Sequence, residues 1–130
     1  MEIEILGTFY TLHRGGREDP RFVNGIMGRC DSYLKELSVR NVVEMYAESE
    51  EISWKPKKWF MLQEAEALHH EIVHAYLNES GLKGNTKSSP NWANNEEMVD
   101  WIAVMGEKIA DSFKEADQWL AQFYVGRKDS

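Results

Sequence analysis

His70-Glu71-Ile72-Val73-His74 is the segment of this 130-residue chain whose residue types and spacing can do chemistry. On a helix, residues four apart are offset by about 40° and one turn along the axis. His70 and His74 therefore project from one side and can share a metal ion. Zinc suits two neutral imidazoles, at Zn–N distances of about 2.0–2.1 Å. Glu71 follows the first histidine directly, where its carboxylate can take a proton from water that the ion has acidified and so deliver hydroxide to a carbonyl carbon. Apolar neighbours, Leu68, Ile72, Val73, Ala75 and Leu77, lead to the expectation that this helix is embedded and its histidines buried, a setting in which unligated polar side chains would cost several kcal/mol. His69 lies about 100° round from His70 and reads as a neighbour on the rim.

A catalytic zinc site takes three protein ligands and keeps one position open. No His or Cys follows His74. The third ligand is then a carboxylate, or His13 from the first strands. Asn95-Glu96-Glu97-Met98-Val99-Asp100 offers the best carboxylates. Glu96 stands at the start of a second helix, with Asp100 one turn on, placed to hydrogen-bond a ligating histidine from behind. Glu97 is the alternative third ligand; it also suits the reciprocal position of a capping box begun by Asn94, and acids at a helix start are favoured by the dipole in any case.

The elements that must position these groups follow from pattern. Glu2–Leu6 and Thr8–Leu12 alternate or carry β-branched and aromatic residues, as half-buried strands do. Gly15-Gly16 and Asp19-Pro20 mark turns. Met27–Tyr33 and Glu36–Val43 are two further candidate strands, with Leu37, Val39 and Asn41 on one face of the second. Pro56 suits a helix start. Leu62, Ala65, Leu68, Ile72, Ala75 and Tyr76 then recur at steps of three and four, and Gly81 ends the helix. Residues 83–93 read as loop. Met98, Trp101, Ile102, Met105, Ile109, Phe113 and Ala116 trace the apolar face of the second helix, which continues or restarts towards Phe123. The tail from Gly126 frays. The expected architecture is α+β in one domain: strands over about 1–45 forming a small sheet, a zinc helix over about 57–79, a glutamate helix over about 95–113 and a helical C-terminal tail.

Composition excludes several classes. A net charge of −7 disfavours nucleic acid as a partner. No apolar stretch approaches the length of a membrane helix, and Met1-Glu2-Ile3-Glu4 has no secretory pattern. Cys30 is the only cysteine, so no internal disulfide forms. A cytoplasmic setting is the expectation.

The two helix motifs resemble the zincin metallopeptidases, in particular the gluzincins, where a His-Glu-x-x-His helix is followed by a helix carrying Asn-Glu-x-x-x-Asp. At closer range the order of parts is similar to small, often phage- or prophage-encoded proteins of the ImmA/IrrE and SprT-like kind: Gly28-Arg29-Cys30-Asp31, then Leu68 to Ala75, Glu79-Ser80-Gly81-Leu82, and Asn95-Glu96-Glu97-x-Val99. The resemblance implies an antiparallel sheet beside the zinc helix, an edge strand able to hold an extended peptide, and peptide-bond hydrolysis of a protein or peptide substrate with Zn2+ as cofactor. The chain departs from larger relatives of this kind in having no helix-turn-helix, no zinc ribbon and no assigned oxyanion donor; Tyr76 and His69 are the nearest in sequence. A second class of function is a zincin-fold regulatory protein, phage-encoded for instance, that keeps the metal and acts by contact. A zinc-dependent hydrolase of a non-peptide amide is a third.

Overall fold

The computed structural model describes residues 1–52, 54–82 and 96–125, excepting the side chains of Asn24, Glu96, Glu97, Val99, Asp100 and Ala103. The class is α+β. Strands β1 (Glu2–Ile5), β2 (Thr8–Gly15), β3 (Gly28–Asp31) and β4 (Glu36–Arg40) form one sheet in the order β1-β2-β4-β3. A one-turn helix α1 (Val42–Met45) leads to α2 (Lys57–Glu79), and α3 (Glu96–Ala121) ends in a 3-10 turn at Gln122–Tyr124. Among the described residues no helix is long and apolar enough to cross a membrane.

The sheet is mixed, which corrects the expectation of an antiparallel one. β1–β2 and β3–β4 are antiparallel hairpin pairs, but β2 and β4 run parallel, with Leu12 opposite Leu37 and Arg14 opposite Val39. The first hairpin turns at Leu6 and Gly7, both at positive φ (51° and 88°), the twist that a two-residue connection requires. The chain then crosses the outer face of the sheet through the 3-10 turn Pro20–Gly25 and returns as β3 on the edge. This crossover makes β4 meet β2 in the same direction. Alternation alone does not encode that direction, because a strand alternates alike in either pairing.

One face of the sheet carries the core. Ile3, Ile5, Tyr10, Leu12, Leu37 and Val39 pack against Leu68, Ile72, Ala75 and Tyr76 of α2 and Ala116, Trp119 and Leu120 of α3. Val42 closes the strand early: β4 stops at Arg40, and Asn41 caps α1 by accepting from the Glu44 N–H at 3.0 Å. Asn41 is thus a cap, where the sequence pattern placed it in a strand. α2 closes in a Schellman motif. The Leu82 N–H donates to the Leu77 carbonyl at 2.9 Å and Gly81 takes φ of 76°, a conformation open to glycine without strain.

The buried stripe of α2 is Phe60, Glu64, Leu68, Ile72, Ala75 and Tyr76. Leu62, expected on that stripe, is 54% exposed, and an acid takes a stripe position in its place. Glu64 has no exposed surface. Its carboxylate is saturated by Arg14 from β2 (Nε at 2.6 Å and Nη2 at 2.9 Å), by the Val42 N–H at 3.2 Å and by the Tyr124 hydroxyl. Arg14 also donates to Asn41 Oδ1 at 3.1 Å and lies under the Phe123 ring, 4.6 Å from its centroid. The ion pair with Glu64 favours the charged guanidinium, although burial opposes it.

At the other end of α2, Glu79 accepts from Lys35 Nζ at 2.8 Å, Tyr10 at 2.6 Å and Thr8 at 2.9 Å. Lys35 foremost, then Tyr10, holds its carboxyl below the ordinary value of 4.5. A depressed carboxyl adds stability above its unfolded pKa, and that stability fades as pH falls through the folded pKa. The stability gap between the parent and Glu79→Gln should therefore be full above pH 4.5 and shrink below it, which urea denaturation across the acid range would measure. Breaking the other pair is costlier. Arg14→Ala strands a buried carboxylate and should lower the unfolding free energy by about 3–5 kcal/mol, whereas Arg14→Met with Glu64→Met should recover most of that loss.

Candidate metal centre

All three residues of the central motif lie on α2, five to nine residues before its C-terminal end. At about 100° per residue, His70 and His74 stand roughly 200° and 240° round the helix from Leu68, while Glu71 is about 60° from it on the near side. The packed face therefore takes Leu68 into the core, holds Glu71 at its margin and turns both histidines outward. His70 and His74 are exposed and Glu71 is half-buried. This overturns the expectation of buried histidines, and the desolvation cost built on it does not apply. The neighbours Val73 and Leu77 are only partly buried, so an apolar flank did not mean an enclosed site.

The geometry still gathers the donors. His70 Nε2 and His74 Nε2 are 3.2 Å apart, and the rings meet edge to face with centroids 4.8 Å apart. Two nitrogens bound to one tetrahedral zinc at about 2.0–2.1 Å would stand about 3.3–3.4 Å apart. The observed spacing fits that bite within about 0.2 Å, and it also suits a ring-to-ring hydrogen bond in the metal-free protein. One ligand atom each from His70, Glu71 and His74 lies within 4.8 Å of the others. Burial pushes the Glu71 carboxyl above its ordinary range, opposed by the neighbouring His70 and His74 imidazoles.

The other candidates fall elsewhere. His13 alternates with Tyr10, Leu12 and Arg14, which face the helices, so it points to the opposite face of the sheet. There its Nε2 stands 3.5 Å from Glu36, which removes it as a third ligand. His69 turns to α3, 2.6 Å from Asp117 and stacked on Phe113 at 4.1 Å. The Tyr76 hydroxyl donates to the Lys108 carbonyl at 2.9 Å beside Ser112. Neither faces the histidine pair, so neither supplies an oxyanion donor. α3 runs antiparallel to α2, with the Trp101 indole N–H donating to Ser80 Oγ at 3.1 Å. Its first turn thus begins past Ser80, and Ser80 is itself six residues, about 9 Å of helix rise, beyond His74. Glu96 is the first residue of α3; the side chains of Glu96, Glu97 and Asp100, and with them the expected ligand and supporting roles, lie outside the described residues.

Residues that took no role at the site on sequence grounds frame it. Gly28 on the edge strand β3 abuts Glu71 and the Ala67 carbonyl. Glu64 and Arg14 fix the helix two turns away. A single acid at stripe spacing among Phe60, Leu68 and Ile72 was the available signal for Glu64. If the histidine pair holds zinc, His70→Ala and His74→Ala should each weaken zinc binding by more than the roughly 10–100-fold that loss of an outer partner costs, read by competition with a chromogenic chelator. Compared with known proteins, the chain matches no family model, no curated protein and no solved structure.

Proposed function

We propose that this chain is a zinc-dependent metallopeptidase of minimal zincin, gluzincin-like design, acting on a protein or peptide. The observation that carries this reading is the 3.2 Å spacing of two exposed imidazole nitrogens beside a half-buried carboxylate on the same helix. His70 and His74 would hold the ion. Bound zinc would supply Lewis-acid activation of water and of the substrate carbonyl. Glu71 accepts the proton released and passes it to the departing amine, a role that suits a carboxyl whose burial favours the protonated form. A purely structural zinc site is closed by four protein ligands and has no use for such a base.

The substrate's path is supported by the sheet edge. The Arg40 N–H donates to the Met27 carbonyl at 2.9 Å, so Met27 and Arg40 form a hydrogen-bonded pair. The next pair, Gly28 with Val39, then directs its backbone groups away from each other. The Gly28 N–H and carbonyl thus face outward beside Glu71, where an extended peptide could add as a strand. Glu96 stays the proposed third ligand, with Asp100 behind it and Glu97 as the alternative, on the sequence pattern alone; the antiparallel register counts against it.

A contact-acting regulatory protein that keeps zinc is the second reading. It is favoured by the turning of Tyr76 and His69 towards α3, away from the histidine pair. Peptide-library cleavage separates the two. Glu71→Gln should keep zinc affinity within about threefold and lose about 100-fold or more in kcat; equal cleavage by both proteins, or none by either, would favour the contact reading. A Glu96→Ala protein that binds zinc as tightly as the parent would remove Glu96 from the ligand set.

A further inference from the structure

Gly28 lies where the edge strand abuts the helix that carries His70, Glu71 and His74. A β-carbon built on it would stand 3.0 Å from Glu71 Cγ, 3.1 Å from Glu71 Oε2 and 3.3 Å from the Ala67 carbonyl oxygen. The first two distances belong to the side chain read above as the base. The third belongs to helix backbone, which cannot yield locally, because that carbonyl accepts from the turn that carries Glu71 itself.

The strand cannot retreat freely either. Its pairing to β4 includes the bond from the Arg40 N–H to the Met27 carbonyl at 2.9 Å, one residue before Gly28. β4 is in turn paired on its far side with β2, whose Arg14 grips Glu64 of the same helix. Strand and helix are thus held at a fixed separation by the pairing of β3 with β4 and by the Arg14–Glu64 pair. No positive φ accounts for this glycine; the space beside Glu71 does. With hydrogen in place of a side chain, the Glu71 methylene and carboxylate rest against the strand backbone, which limits the rotamers open to them.

We infer that Gly28 is the positioning residue for Glu71: the missing side chain lets the edge strand form one wall of the Glu71 slot and hold the carboxylate towards the histidine pair. This rests on the reading of Glu71 as base, although the contact itself does not. In Gly28→Ala the added methyl displaces the carboxylate. A base displaced by a few tenths of an ångström lowers the rate of the chemical step and leaves the metal ligands untouched; about tenfold is the expected loss where a full 1 Å costs up to about 100-fold.

Two measurements test it. On a cleaved peptide, Gly28→Ala should lower kcat at least about tenfold with KM within about twofold, while zinc affinity stays within about threefold of the parent. An unchanged kcat, or a loss carried by KM alone, would overturn the inference. The second measurement needs neither cleavage nor metal: a double-mutant cycle of Gly28→Ala and Glu71→Ala, read by thermal unfolding of the apo protein. Gly28→Ala should lower Tm by several degrees when Glu71 is present and by less than half as much in the Glu71→Ala background. Equal losses in the two backgrounds would overturn the contact. Coupling in the cycle from a parent that cleaves no peptide would keep Gly28 as the wall of Glu71 and sink the peptidase reading instead.

Discussion

Glu64 is a carboxylate with no exposed surface, held by Arg14 from β2, the backbone of α1 and the hydroxyl of Tyr124. A buried charge of this kind tolerates little displacement, since each lost partner leaves desolvation uncompensated. It therefore acts as a key that sets how α2 is rotated about its own axis. Glu71 lies seven residues further on, about 20° short of two full turns from Glu64. Whatever fixes Glu64 against Arg14 also fixes Glu71 on the sheet side of the helix and turns His70 and His74 outward. Leu68 and Ile72 on the intervening turns add apolar burial to the same orientation.

The same pair explains why the two ends of the chain meet. Arg14 belongs to the second strand and Tyr124 to the last turn, yet both contact one carboxylate. Phe123 lies over the Arg14 guanidinium, so the positive charge is covered by a ring as well as paired. The C-terminal turn is thereby part of the core's polar seal. At the opposite end of α2, Glu79 makes a looser version of the same device with Lys35, Tyr10 and Thr8. The helix is pinned to the sheet at both ends, and the His70-Glu71-His74 cluster lies between the two pins.

The histidine pair shows how far local geometry goes. Residues four apart on a helix always bring their side chains near each other, and the 3.2 Å approach of the two imidazole nitrogens follows from that spacing. Enclosure does not follow from it. An apolar neighbour in sequence lies about 100° away on a helix, so Val73 and Leu77 say little about what surrounds His70 or His74. The cluster is instead open on the histidine side and abuts an edge strand on the Glu71 side.

The sequence by itself determined the helix from Lys57 to Glu79, its glycine stop, the two β1–β2 strands and the clustering of His70, Glu71 and His74, because each depends on contacts within a few residues. Helical period and turn chemistry are local properties, legible in order along the chain. Only the tertiary structure decided the parallel pairing of β2 with β4, the outward turn of both histidines and the close approach of Gly28 to Glu71. The partner of Glu64 was likewise beyond the sequence, since Arg14 is 50 positions away. Each of these is set by which distant segment fills the space beside a residue, and side-chain spacing along one element carries no record of that.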